Sequence, residues 1–402
     1  MTRAFLIVVD SVGIGGAPDA DTFFNGDVPD TGANTLGHIM QACRDGRAEE
    51  GRSGPLKVPH LEAMGLGAAM AQSGLDLGDH NTPPQGLYGT ATEVSRGKDT
   101  PSGHWELAGV PVPWEWCYFP DEMPAFPNDI MLKAAQLCNA GGTLANCHAS
   151  GTEVIERFGA EHVETGWPII YTSADSVMQI AAHETHFGLE RLLKLCKDLS
   201  PLLHGMKVGR VIARPFTGSA QDGFTRTQNR KDFAISPPSP TLLDWAQEAG
   251  HKTYAIGKIG DIFSMRGVDD LRKGNDAVLF DHLCDVMVEA PDGAFVFANF
   301  VEFDSLYGHR RDVSGYARHL EWFDAQIARL LPLMKDGDLI MLTADHGNDP
   351  TWVGTDHTRE RVPVLGTGIG VKSIGDVNFV DVAASIAHHL GVPAQGPGRS
   401  FL

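Results

Sequence analysis

The sequence predicts an α/β protein: a doubly wound core with a smaller α+β domain inserted into it. Three observations carry this prediction: apolar runs that end in acidic residues, helical periodicities between them, and a middle section that follows neither pattern. The first run, Ala4-Phe-Leu-Ile-Val-Val9, is continuously apolar and rich in β-branched residues, which suits a strand buried on both faces of a parallel sheet. It ends at Asp10. The pattern returns from Phe295 to Phe303, ending at Asp304, and from Asp338 to Thr343, followed by Ala344-Asp345-His346. Helical stretches lie among these strands. Thr241 to Ala249 stops at Gly250, Leu320, Phe323, Ile327 and Leu330 recur at helical spacing, and Val382, Ile386 and Leu390 do so between a cap at Asp381 and Gly391. Alternation of this kind predicts a doubly wound sheet, whose ligands bind beyond the carboxyl ends of the strands. That is where the acidic residues would gather.

From about Pro111 to Asp129 the chain is rich in Pro, Trp and Phe without a clear period, and reads as a crossing between domains. A compact mixed section follows, with helices near Met131 to Asn139 and Leu189 to Leu199 and strands near Ile169 to Thr172 and Val208 to Ala213. Its far border lies near the Pro-rich segment from Ser236 to Pro240. The expected division is a core of residues 1–113 and 234–402 and an inserted domain of residues 114–233.

The 402 residues carry 32 Lys and Arg against 51 Asp and Glu, a formal charge of −19. Such a surface repels nucleic-acid backbones and anionic lipid, so neither nucleic acid nor membrane is an expected partner. No segment approaches the roughly 18 consecutive apolar residues of a spanning helix, and Ala4 to Val9 is shorter than the apolar core of a signal peptide. A cytoplasmic location is expected. The six cysteines form no Cys-x-x-Cys pair and read as buried free thiols.

Asp10, Asp304, His309, Asp345, His346 and His357 together make six candidate metal ligands. Mixed carboxylate and imidazole donors suit Mn²⁺ or Zn²⁺, and the carboxylate share favours Mn²⁺. Six ligands suffice for two cations with positions left for a substrate in an in-line phosphoryl displacement. The segment from Gly97 to Glu106, Gly-Lys-Asp-Thr-Pro-Ser-Gly-His-Trp-Glu, supplies a hydroxyl at Thr100. By local sequence alone Thr100 or Ser102 reads as a helix cap, since an alcohol attacks phosphorus only when activated.

Six segments together resemble the prokaryotic phosphopentomutases of the alkaline phosphatase superfamily. They are Val9 to Gly15, Asp30 to His38, Gly97 to Glu106, Tyr171 to Ser176, Asn299 to Asp304 and Thr343 to Pro350, and they span most of the chain. The metal ligands point only to the superfamily; the segments around Thr100 and Ser173 narrow it to the mutases. The resemblance implies an alkaline-phosphatase-like core with a cap. Asp304, His309 and His357 would bind one Mn²⁺, and Asp10, Asp345, His346 and the oxygen of Thr100 the other. Thr100 would be the phosphorylated residue, and a sugar bisphosphate would act as activator. The expected partners are small sugar phosphates, ribose 1-phosphate and ribose 5-phosphate or their 2-deoxy counterparts. The rival readings are a metal-dependent phosphatase or a phosphoglycerate mutase on the same fold, and a non-catalytic phosphosugar-binding protein.

Between Lys207 and Lys231 six basic residues face a single acidic one, Asp222, a local inversion of the overall charge. Arg presents a planar fork matched to phosphate oxygens. With the resemblance to a capped mutase, Arg214 and Arg230 are expected to bind the distal phosphate. Ser173 and Asp175 read locally as turn residues, but the resemblance implies that they hydrogen-bond the pentose hydroxyls.

Overall fold

The computed structural model describes residues 2–74, 82–173 and 176–402. The chain divides into two compact units, Met1–Pro113 with Pro237–Leu402, and Trp114–Ser236.

The larger unit is built on an eight-stranded sheet. Its order is Asp270–Arg272, Thr253–Ile256, Phe295–Phe300, Arg3–Val9, Asp338–Thr343, Val362–Thr367, Leu87–Thr92 and Lys372–Asn378. Arg3–Val9 pairs in parallel on both sides, with Leu6 opposite Phe297 and Met341. All its residues are buried, as an uninterrupted apolar run requires. The Phe379–Leu390 helix packs on this strand and against the Thr100–Leu107 and Leu242–Glu248 helices, while Val313–Leu330 packs with Thr35–Arg44 and Pro59–Met64.

The sheet is not wholly parallel. Val362–Thr367 runs antiparallel to both neighbours, because the chain leaves Thr343, loops past His357 and returns directly alongside the strand it left. That return keeps both ends of the loop at the carboxyl edge of the sheet.

Two boundaries differ from those expected. The strand from Phe295 stops at Phe300, where its partner ends at Val9 and the ladder runs out; Asp304 then stands in a π-helical turn, Phe303–Gly308. The last helix is capped by Asn378, and Asp381 completes a capping box by accepting from the Asn378 N–H at 3.0 Å.

Arg3, the polar exception in its strand, is buried with Asp338. Its Nε and Nη2 donate to the two Asp338 oxygens at 2.8 and 2.6 Å, and Nη1 donates to the Met287 and Ala290 carbonyls. A buried charge is tolerable only when paired and fully bonded in this way.

The smaller unit has a six-stranded sheet. The order is Lys231–Ala234, Arg210–Ser219, Val177–His183, Ile169–Thr172 and Leu144–His148, with Gly223–Arg226 paired to Arg210–Ser219. Strand alternation splits its core in two. Ile170, Met178, Ile180 and Ala182 join the cluster formed with the Asn128–Leu137 and Leu189–Gly205 helices. Ile169, Tyr171 and Ala181 join the one formed with Gly151–Thr165. The Leu189–Gly205 helix continues past its expected end at Leu199, and through Pro201, because buried Leu199 and Leu203 anchor its last turns.

All six cysteines are free; Cys43, Cys138 and Cys196 are buried, but Cys117, Cys147 and Cys284 only partly. Among the described residues no helix is long and apolar enough to cross a membrane.

Candidate metal centre

The carboxyl edge of the larger sheet collects five of the six candidate ligands from three neighbouring strands. Asp10 follows the Arg3–Val9 strand, Asp345 and His346 follow Asp338–Thr343, and Asp304 with His309 lies in and just after the π-turn beyond Phe300. The sixth, His357, sits on the returning loop, which an isolated bridge between Gly347 and Thr358 pins beside His346.

The six close into one cluster, buried except for the half-buried His309. Asp304 stands 3.1 Å from His309 Nε2 and 3.4 Å from His357 Nε2. His346 Nε2 lies 3.2 Å from Asp345 and 3.6 Å from Asp10. Donor atoms of Asp304, His309 and His357 all fall within 4.8 Å of one another, as do those of Asp10, Asp304 and His346. Asp304 thus belongs to both groups, and Asp345 flanks the second.

Three observations show that these residues fit cations. Asp10 Oδ1 is buried and accepts no hydrogen bond, and buried Asp345 Oδ2 has only the His104 and His346 rings beside it, at 3.0 and 3.2 Å, which is costly for carboxylates unless a positive charge faces them. Each imidazole is tied through Nδ1 to a backbone carbonyl: His309 to Thr355 at 2.6 Å, His357 to Lys98 at 2.8 Å and His346 to Gly347 at 3.1 Å. Donation from Nδ1 leaves the Nε2 lone pairs turned inward, the orientation of a metal-binding histidine. The Nε2 atoms of His309 and His357 stand 3.1 Å apart, close enough for both to face one cation.

The electrostatics agree. Burial, with the charges of Asp345 and Asp304, pushes the Asp10 carboxyl well above its ordinary range. Burial also acts on Asp304, but His357 and His309 outweigh it and hold that carboxyl well below the usual range. Burial draws His346 down to about 4, so its lone pair is available at neutral pH. Crowded carboxylates of this kind call for divalent charge.

Thr100 reaches the same centre. The Thr100–Leu107 helix is capped by neither Thr100 nor Ser102 but by Asp99, whose side chain accepts from the Ser102 N–H at 3.0 Å. Thr100 is therefore the first helical residue, half-buried, with Oγ1 at 3.3 Å from His346 Nε2. The rest of the segment holds it there. Glu106 accepts from the Val94 and Ser95 N–H groups, and the Trp105 indole donates to Ile262 O at 3.0 Å. Gly103 is required by close approach: a Cβ there would stand 2.1 Å from Asp345 O. Gly103→Ala is expected to destabilise the protein by about 1–3 kcal/mol through this overpacking and to weaken divalent-cation binding. Urea midpoints and Mn²⁺ calorimetry check both.

Three further side chains complete the site and were not singled out by sequence. Asn299 Nδ2 donates to Asp10 Oδ2 at 2.8 Å and faces His104 Nε2 at 3.1 Å; His104 Nδ1 meets Thr100 O at 2.9 Å. Asn348 Nδ2 donates to Asp304 Oδ1 at 2.7 Å. All three lie inside the six segments, but amides and an interior histidine carry no periodic signal to mark them.

In the smaller unit Arg214, Arg226 and Arg230 line a cavity of about 660 Å³ with Thr152 and Thr227. Arg214 Nε donates to Gln179, whose amide donates to Ser173 Oγ at 3.3 Å, so Ser173 and Arg214 share one network. Arg230 is exposed and forks onto Asp232 at 2.7 Å. Asp175 lies outside the described residues.

Comparison with known proteins identifies the family. Residues 2–394 match the family model described as the metalloenzyme superfamily. The chain is 54% identical over 409 residues to a phosphopentomutase of Chelativorans sp. (strain BNC1), covering 100% of this chain and 98% of that protein. It is 52% identical over 412 residues to a phosphopentomutase of Agrobacterium fabrum and 53% over 413 residues to one of Rhizobium meliloti, each covering 100% of both chains.

Proposed function

The chain belongs to the metalloenzyme superfamily and, within it, to the phosphopentomutases, and from that premise we propose how its residues interconvert ribose 1-phosphate and ribose 5-phosphate, and the 2-deoxy pair. Thr100 carries the phosphoryl group. The observation that supports this reading is that Asp99 takes the capping role, leaving the Thr100 hydroxyl turned toward His346 in the metal centre.

Two divalent cations, Mn²⁺ by the donor balance, one on Asp304, His309 and His357 and the other on Asp10, Asp345 and His346, would neutralise the phosphoryl oxygens during transfer and stabilise the Thr100 oxygen as leaving group. The chain's own residues do the positioning. Thr100 at the first turn of its helix places the phosphoryl group at the positive end of the helix dipole. A hydroxyl oxygen of the pentose phosphate bonds to phosphorus as the bond to Thr100 Oγ1 breaks, and the hydroxyl proton is released. The 1,5-bisphosphate so formed then returns its other phosphoryl group to Thr100. A sugar bisphosphate activator loads Thr100 at the start. Ser173 and Asp175 hydrogen-bond the pentose hydroxyls, and Arg214 and Arg230 take the distal phosphate. The enzyme works on small sugar phosphates in the cytoplasm.

Intact-mass measurement and peptide mapping of the purified protein test the central assignment. The expected result is an adduct of about 80 Da, one phosphoryl group, on Thr100. The same adduct on any other residue overturns it.

A further inference from the structure

Arg311 plays no part in the transfer chemistry above, yet its side chain gathers every segment that carries a ligand of the Asp304, His309 and His357 group. It lies two residues past His309, with a backbone φ of 57°. A non-glycine residue in that left-handed conformation costs of order 1–2 kcal/mol, and such strain persists where the surroundings hold it for a purpose.

The guanidinium spends its N–H groups on backbone and amide oxygens. Nε donates to Gly354 O at 2.7 Å, Nη1 to Gly308 O at 3.0 Å and to Asn348 Oδ1, and Nη2 to Asp356 O at 3.1 Å and Val353 O at 3.4 Å. Those five contacts match the five donors of a guanidinium.

Each contact leads to a ligand. Gly308 immediately precedes His309. Asn348, oriented by Nη1, donates to Asp304 Oδ1 at 2.7 Å. Val353, Gly354 and Asp356 belong to the loop that ends in His357, and Thr355 in the same loop accepts from His309 Nδ1. One planar fork thus locks the π-turn, the Asn348 amide and the 353–356 loop into a single arrangement. A lysine, with its donors gathered at one point, cannot span them.

We propose that Arg311 is a positioning residue that sets the affinity of one cation, the one held by Asp304, His309 and His357, by fixing those three ligands before it binds. The proposal rests on the reading of that group as a cation site. Groups around a metal's ligands commonly affect metal affinity by about 10–100-fold.

The test is calorimetric titration of the metal-stripped full-length chain with Mn²⁺, paired with turnover of ribose 1-phosphate as a function of Mn²⁺ concentration. In Arg311→Lys one of two sites is expected to weaken by about 10–100-fold while the other is unchanged. The Mn²⁺ concentration for half-maximal activity rises by the same factor, and kcat at saturating Mn²⁺ returns close to the wild-type value. Asn348→Ala, which cuts only the branch to Asp304, is expected to weaken the same site less, and the double variant to fall short of the product of the two effects. If Arg311→Lys does not fold, Asn348→Ala alone decides: an unchanged Mn²⁺ isotherm overturns the proposal. So does equal weakening of both sites, or a kcat that stays low at saturating Mn²⁺. A wild-type chain that binds no Mn²⁺ would refute the underlying cation reading instead, which separates the two failures.

Discussion

Thr100→Ala is expected to abolish the phosphoenzyme and reduce mutase turnover by about 10⁴-fold or more, the range seen when a covalent nucleophile is removed. Three features make this result interpretable. Thr100 does not cap its helix, since Asp99 does, so alanine at the first helical position costs little stability. The helix is anchored elsewhere, through Glu106 and Trp105. The carboxylates and imidazoles are supplied by other segments, so Mn²⁺ affinity should change far less than turnover. Conversion of ribose 1-phosphate to ribose 5-phosphate, measured beside Mn²⁺ calorimetry, separates these effects. A variant that retains more than about one part in a hundred of the wild-type rate would move the nucleophile away from Thr100. Release of free phosphate by the wild-type protein in place of ribose 5-phosphate would favour the phosphatase reading over the mutase.

Asp304→Asn is expected to have the second largest effect, because Asp304 alone belongs to both groups of candidate ligands. Replacing a buried carboxylate shared by both groups removes more than an outer-shell change, so activity should fall by well over the roughly 10–100-fold such changes cost. Stability supplies an independent readout. Cations that bind only the folded chain stabilise it by about 2.7 kcal/mol at a concentration 100 times Kd, so stripping wild-type protein with EDTA should lower its melting temperature by several degrees. The Asp304→Asn variant should lose the part of that shift contributed by the cation on Asp304, His309 and His357. An EDTA shift equal to that of wild type would exclude Asp304 from the cation sites.

Much of this centre was legible along the chain. Asp10 and Asp345 each follow an apolar run, and parallel pairing of those runs with Arg3–Val9 in the middle brings them to one edge by register alone. Asp304 was legible as a candidate ligand but not as to its setting. It was expected at a strand end and stands on a π-turn, because the ladder is limited by the end of the neighbouring strand, which residue type does not announce. The reversed direction of Val362–Thr367 was also unmarked, although it determines where His357 returns.

What the order of residues determined by itself was the class of fold and which residue types follow its apolar runs: periodicity is a property of local sequence, and ligand chemistry is a property of residue type. What only the tertiary structure decided was which hydroxyl is released from capping, which carboxylate is shared, and how His104, Asn299, Asn348 and Arg311 hold the rest. Those roles depend on hydrogen bonds between residues tens to hundreds of positions apart, whose angles and distances exist only after the chain has packed.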